Sequence, residues 1–259
     1  MEEGKGDRQG EAIPAKFWSR RFELFSRFHE GVRLDAESWY SVTPEPIARR
    51  VAERMSAGLG ASAGWLWLDA FCGAGGNAIQ LAANDPHGVV VGVDIDPHKV
   101  ELARHNARLY GVEGRIQFVI GDFTALAPRL RAHAVHLSPP WGGCHHRRVK
   151  EFDLTRMRVL GSQCDGMSLF DLALTISPSI AYYLPAHTWR AQLESLTWKH
   201  PSQRSELQEF MRRDGRRDRV HVIAAFFDAK PSSWLLAHSL GVSTRKVRMP
   251  SVPNHPAVM

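Results

Sequence analysis

Several things are scarce in this chain, and each scarcity excludes a class of protein. Three cysteines occur in 259 residues, Cys72, Cys144 and Cys164. So small and odd a set excludes a disulfide scaffold and points to a reducing compartment. Long apolar runs are missing too: the longest, "VIAAFF", falls far short of the roughly 20 residues a membrane-spanning helix needs. The opening "MEEGKGDRQGE" lacks the apolar stretch of a secretory signal. Internal repeats and low-complexity tracts are absent as well. A soluble intracellular protein with no membrane partner is therefore expected. Acids are also in deficit, 27 against 33 Lys and Arg, leaving a net charge of +6. That surplus suits an anionic partner such as nucleic acid, and equally a solvated surface.

What is present reads as two patterns in succession. Residues 1–13 are polar and glycine-bearing, the composition of a disordered tail. "KFWSRRFELFSRF", from Lys16, has the spacing of one helix or two short ones. "SVTPEPIARRVAERM" follows as a further helix, with Thr43 as N-cap and Pro44 at its first position. Its Ile47, Ala48, Val51 and Met55 recur at helical spacing. Past the connector "GLGASAG", strands alternate with helices. "WLWLDAF", "GVVVGVDI", "RIQFVIGD" and "AHAVHLS" are the first four strands, and "SIAYYL" and "VHVIAAFF" later ones. Asp96 caps a helix that starts at Pro97 and ends at Gly111. Repeated βαβ units with apolar strands predict an α/β fold around a mostly parallel sheet covered on both faces. The predicted organisation is a helical extension over 14–60, an α/β domain over 61–230 and a C-terminal appendage over 231–259.

Loops after three strands carry acids. "DAFCGAGGNA", Asp69 to Ala78, satisfies G-x-G-x-x-A through Gly73, Gly75 and Ala78, which opens a dinucleotide reading. Asp69 opposes it, because a carboxylate at the mouth of the turn repels a pyrophosphate. S-adenosylmethionine has no phosphate and presents an ammonium and a sulfonium, so Asp69 is suited to bind the ammonium. Asp94 closes the second strand, where it accepts hydrogen bonds from ribose hydroxyls. Asp122 follows the third, placed to meet the adenine amine, with Phe123 packing on the ring. Acids ending neighbouring strands line the crevice where open α/β sheets bind ligands. The set favours a methyl donor over a dinucleotide.

The fourth strand ends in "SPPW", Ser138, Pro139, Pro140 and Trp141, followed by Gly142 and Gly143. An exocyclic base amine is a poor nucleophile because its lone pair is delocalised into the ring. A serine hydroxyl or a proline-fixed carbonyl accepting its N–H favours a pyramidal nitrogen, and a stiff loop holds it in line with the methyl. Trp141 offers a face for the base, one that binds a cationic base most strongly. Trp141 as plain core filler is the alternative. "CHHRR" (144–148) lacks zinc-site spacing, so no metal is expected. Cys72 reads as loop packing, with no base motif beside it.

These motifs resemble the trimethylguanosine synthase family, which methylates the N2 amine of the 7-methylguanosine cap of small nuclear and nucleolar RNAs. The likeness rests on "KFWSRRFELFSRFHEGVRLDAESWYSVTPEPIA", "DAFCGAGGNAIQLA", "VDIDPHKVELARHNARLYGV", "FVIGDF" and "LSPPWGG", in order over most of residues 16–143. Beyond residue 150 it is thinner. It implies a class I, Rossmann-like methyltransferase with a seven-stranded, mostly parallel sheet and a helical N-terminal extension over the site. It implies S-adenosylmethionine as donor, S-adenosylhomocysteine as product, capped RNA as partner, a nuclear location and a monomer. It implies that Thr43, Asp69 and Asp94 serve the cofactor and that Trp141 stacks on guanine with Ser138 beside the amine. By the same likeness Lys16 serves the cap phosphates and Phe25 the site's aromatic lining. One departure stands out: after "YYLP" the family carries a cap-phosphate arginine, and here stand Ala186 and His187.

A substitute is offered by "RRDGRRDR" (212–219), where Asp214-Gly215 marks a hairpin turn among arginines. Arg216 and Arg217 are the candidates for RNA phosphate contact, against a solvated turn that pairs with Asp214 and Asp218. Three rivals to the cap reading remain at this level. They are a cytosine-N4 or adenine-N6 methyltransferase of DNA or RNA, an NAD-dependent oxidoreductase, and a cofactor-free RNA-binding module.

Overall fold

The computed structural model describes residues 13–59, 64–143, 148–159, 163–214, 217–228 and 241–248, with the last strand and the hairpin tip described largely by their backbone. The predicted tail over 1–12 and most of the appendage over 231–259 lie outside the described residues, as do Cys144 and the two histidines after it.

The aromatic N-terminal segment forms two short helices, α1 (Ala15–Trp18) and α2 (Arg21–Leu24), followed by α3 (Ser38–Ser41) and the long α4 (Glu45–Leu59). Helix α4 begins one residue later than its sequence predicts. The carbonyl of Pro44 accepts the first helical bonds from Ile47 and Ala48, and the Thr43 hydroxyl accepts from Asn77 rather than capping the helix. Then come β1 (Leu66–Asp69), α5 (Gly76–Asn84), β2 (Val89–Asp94), α6 (Pro97–Leu109), β3 (Ile116–Ile120), the short α7 (Phe123–Leu126) and β4 (Ala134–Leu137). The start of α6 is as predicted: Asp96 accepts the His98 N–H at 2.8 Å and Pro97 takes the first position. Downstream lie α8 (Gly166–Leu174), β5 (Ile180–Pro185), α9 (Arg190–Lys199), β6 (Arg204–Asp214), β7 (Arg217–Phe227) and β8 (Gly241–Arg248).

The sheet order is β3-β2-β1-β4-β5-β7-β6-β8, with β7 antiparallel to both its neighbours and every other pair parallel. Eight strands replace the seven expected, because β8, drawn from the appendage, pairs with β6. Alternating side chains feed two cores: Trp67, Tyr183 and Phe226 on one face with α4 and α5, Leu68, Tyr182 and Phe227 on the other with α8 and α9. Helix α4 is also clasped to the sheet by charge. Buried Arg54 reaches Glu206 on β6 at 2.6 Å and Asp228, just past β7, at 2.6 Å.

Candidate active site

The carboxyl ends of the parallel strands open into one crevice of about 1100 Å³. Its wall is contributed by the segments after β1, β2, β3, β4 and β5 and by the N-terminal helices. This is the edge of an open α/β sheet where ligands bind. A single small ligand fills a few hundred cubic ångströms, so this volume admits two.

One half is acidic and fixed by backbone. In the loop after β1, Gly75 has φ +92° and its Cα side abuts Ala103 of α6, where an added Cβ would come within 3.1 Å of backbone. Only glycine brings the loop so close to α6. The Gly73 N–H donates to Asp94 Oδ2 at 2.8 Å, and the Asp96 N–H donates to Asp94 Oδ1 at 3.0 Å. Burial pushes the Asp94 carboxyl above its usual range, and these two N–H groups and Lys99 offset only part of the rise. Asp122 accepts from the Thr124 N–H and hydroxyl, and buried Phe123 lines the wall beside it. Cys72 is buried, and burial first, then the charges of Asp69 and Asp94, push its thiol well up, which makes it inert packing.

Asp69 departs from expectation. It is fully buried, turned along the sheet toward His136 of β4 at 3.4 Å, and is not part of the crevice wall. It is the last residue of β1, in register with His136 of β4. Its Oδ2 is a buried acceptor without a hydrogen-bond partner among the described residues. The Asn77 Oδ1, on the wall itself, is another. Orphaned acceptors and half-buried carboxylates on the wall, with no cationic side chain in the glycine loop itself, fit a cationic methyl donor.

The other half is aromatic and basic. Trp141 lines the crevice with Tyr183 behind it, ring centroids 5.4 Å apart and 34° tilted. Burial pushes the Tyr183 phenol far above its usual range, so it stays neutral, and it shares a hydrogen bond with Thr43. Ser138, Pro139 and Pro140 line the same wall. Gly142 and Gly143 follow with φ +83° and +61°, left-handed values that turn the chain away. Lys16 and Phe17 of α1 and Tyr40 of α3 close this half. Phe25, expected in the lining, is instead 2% exposed in the core, edge-on to Tyr110. Arg216 lies outside the described residues, and Arg217 is described by backbone alone. Among the described residues, the arginines that reach the crevice are Arg20, Arg212 and Arg219.

The N-terminal segment is held over the site by α6. Lys99 donates to Asp35 at 2.9 Å and to Ser38 at 3.2 Å, and Asn106 bonds both Arg33 and the Ala74 carbonyl of the glycine loop. No sequence motif announced Lys99, Asn77 or Tyr183. Lys99 and Asn77 read as ordinary helix residues, and Tyr183 as one more apolar strand position.

The sequence profile of RNA cap guanine-N2 methyltransferases matches residues 65–230. This chain belongs to that family. It is 37% identical over 179 residues to the trimethylguanosine synthase of Schizosaccharomyces pombe, covering 67% of this chain and 71% of the relative. With the Saccharomyces cerevisiae trimethylguanosine synthase the identity is 32%, over 71% of this chain and 58% of the relative. A Listeria monocytogenes protein assigned to the class I S-adenosylmethionine-dependent methyltransferases superposes on 98% of the chain and 77% of its own, with TM-score 0.56 at 12% identity, a likeness of fold alone. The cap methyltransferase family brings with it S-adenosylmethionine as methyl donor and capped RNA as substrate, and sets aside the oxidoreductase and cofactor-free readings. Among the described residues, no helix is long and apolar enough to cross a membrane.

Proposed function

We propose that this cap methyltransferase acts on the N2 amine of 7-methylguanosine-capped RNA, giving the 2,7-dimethyl and then the 2,2,7-trimethyl cap. The RNAs are small nuclear and nucleolar ones, the enzyme works as a monomer in the nucleus, and the co-product is S-adenosylhomocysteine. The observation that carries the reading is Trp141, braced by Tyr183 and continuous with Ser138-Pro139-Pro140, at the basic half of a crevice whose other half is acidic.

S-adenosylmethionine supplies an electrophilic methyl on a sulfonium. Asp94 receives the ribose hydroxyls, Asp122 and Phe123 receive the adenine, and Gly73 and Thr43 shape the wall between. Asp69 and the Asn77 amide oxygen stabilise the ammonium, Asp69 by its field from beneath the loop rather than by contact. Trp141 stacks on the guanine, whose N7 methyl makes the ring cationic and favours the indole face. The Ser138 hydroxyl and Pro139 carbonyl accept the N2 protons and keep the lone pair aimed at the methyl. As the N–C bond forms and the donor's S–C bond breaks, one N2 proton passes to solvent, with the Ser138 hydroxyl accepting its hydrogen bond on the way. The N7 positive charge makes that proton easier to lose, so no strong protein base is required.

Mass spectrometry of the product from 7-methyl-GTP tests this. One- and two-methyl increments confined to N2, with GTP and duplex DNA unmodified, are expected. Methylation of DNA or of unmethylated GTP at equal rate would replace the cap reading with the general exocyclic-amine one.

A further inference from the structure

We infer that His136, buried near the end of β4, is a positioning residue for the methyl donor: it holds the Asp69 carboxylate ionised beside the donor's ammonium. The inference rests on the donor reading of the acidic half and adds a residue to it.

Both side chains stand where the crevice begins. The sheet runs outward from β1 through β2 and β3 on one side, and from β4 to β5 on the other. Open α/β sheets bind their ligands at such a switch point, outside the carboxyl ends of the strands. Asp69 and His136 are register partners across it, and the Ala70 N–H donates to the His136 carbonyl at 3.1 Å. Past this rung the strands part. One leads through Ala70 into the glycine loop, the other through Leu137 into Ser138, Pro139 and Pro140. Neither Asp69 nor His136 belongs to the crevice wall, so neither is placed to touch a substrate. Cys72, which does line the wall, feels the Asp69 charge. That charge therefore reaches the donor half.

The hydrogen bonds set the two roles. An ionised carboxylate only accepts, so in the 3.4 Å contact His136 Nδ1–H donates to Asp69 Oδ1. This puts the ring proton on Nδ1 and leaves Nε2 a lone pair, with no partner among the described residues. A second proton there would bury an N–H with nothing to accept it. The ring stays neutral, and the Asp69 charge is not cancelled. His136 is also the one hydrogen-bond partner of the Asp69 carboxylate among the described residues, since Oδ2 has none. A fully buried carboxylate that loses its last N–H donor takes up a proton or turns away. Either response removes the counter-charge of the donor. A histidine in a strand that otherwise reads Ala134, Val135 and Leu137 thus has a task beyond packing.

Calorimetry tests this without capped RNA, using S-adenosylmethionine and 5′-methylthioadenosine. The second ligand shares the adenosine and lacks both the ammonium and the sulfonium charge. In His136→Phe, which keeps a ring of similar bulk, S-adenosylmethionine binding weakens by about tenfold or more, the worth of a hydrogen bond to a charged group. Binding of 5′-methylthioadenosine is unchanged, which also reports an intact crevice. His136→Asn returns an N–H near the Nδ1 position and recovers most of the lost affinity. Equal weakening of both ligands, or no recovery in His136→Asn, assigns His136 to packing and overturns the inference. An unaltered S-adenosylmethionine affinity in His136→Phe overturns it too. Those results leave the cap reading standing. A wild type that binds S-adenosylmethionine and fails to methylate 7-methyl-GTP overturns the cap reading alone.

Discussion

The two halves of the crevice are built in different ways. The acidic half comes from one stretch of chain, residues 70–123, whose carboxylates are pinned by neighbouring backbone N–H groups, as Asp94 is by Gly73 and Asp96. The basic half is assembled from distant segments: Lys16 to Thr43, Ser138 to Trp141, Tyr183 to His187, and Arg212 to Val222. Its members are joined by side-chain contacts across the sequence, such as Glu23 to Arg212 and Trp141 to Tyr183. Local closure makes the first half robust, since few residues must be ordered to form it. The second half depends on the tertiary fold being complete. A donor common to many reactions is thus met by a local device, and the particular acceptor by a composite one.

The clasp of α4 offers the largest way to break that contrast. Arg54→Ala leaves Glu206 and Asp228 buried without their partner, costing about 3–5 kcal/mol, or roughly 6–20 °C in Tm at this size. Thermal unfolding measures it. If the composite half leans on this clasp, sublethal heating of the variant abolishes 7-methyl-GTP binding before S-adenosylmethionine binding. Simultaneous loss of both would mean that the halves unfold as one. A smaller effect is expected from Trp141→Ala. Losing the stack weakens 7-methyl-GTP binding by about 2–3 kcal/mol, roughly 30- to 150-fold, while calorimetry with S-adenosylmethionine gives an unchanged Kd. Equal weakening of both ligands would show that the indole supports the whole crevice instead of one base.

Legibility in the sequence follows the same division. The order of the strands through β5, the capped α6 and the glycine loop could all be read, because each depends on spacing within about a dozen residues. Asp94, Asp122, Phe123 and the "SPPW" stretch accordingly reach the crevice. Strand β6 was missed: "RSELQEFMRRD" alternates charge with apolar side chains, and the buried Glu206 and Gln208 disguise it as surface. Strand β8 gains its identity only from the edge of β6. Phe25 could not be told from a lining aromatic, since nothing local says that its ring meets Tyr110, 85 positions on. Thr43 had every sign of an N-cap, yet Asn77 claims its hydroxyl from another helix. Asp69 ends β1 and turns to His136 instead of into the crevice, because a strand's last side chain can turn to its neighbour in the sheet. The arginines were seen as a cluster, but which of them face the crevice is decided by hairpin register and a bulge.

The smallest effect sits in the acidic half and is read through pH. Asp94 is an acid whose pKa is raised above 3.8, first by burial and then by Asp96, with the Gly73 and Asp96 N–H groups and the Lys99 ammonium opposing. On acidification it takes up its proton earlier than a free carboxyl. A protonated Asp94 loses acceptor capacity for the ribose, so S-adenosylmethionine binding weakens as pH falls toward that raised value. The stability contribution has the opposite sign: the folded state binds this proton more tightly than the unfolded chain, so Asp94 favours the ligand-free fold more at low pH than at neutral pH. Asp35 runs the other way. Burial raises it, but Lys99 and Ser38 outweigh burial and hold it below 3.8, so its latch on the N-terminal segment persists until more acid conditions. In the range from neutrality down to the usual carboxylate pKa, then, the donor loosens while the segment over it stays latched. Asp94→Asn should weaken S-adenosylmethionine binding by about tenfold at pH 7, the worth of a hydrogen bond to a charged group, and flatten the acid-side pH dependence of Kd. A wild-type Kd that is flat on acidification, or a variant that keeps the wild-type slope, would move the donor's hydroxyl contact away from Asp94.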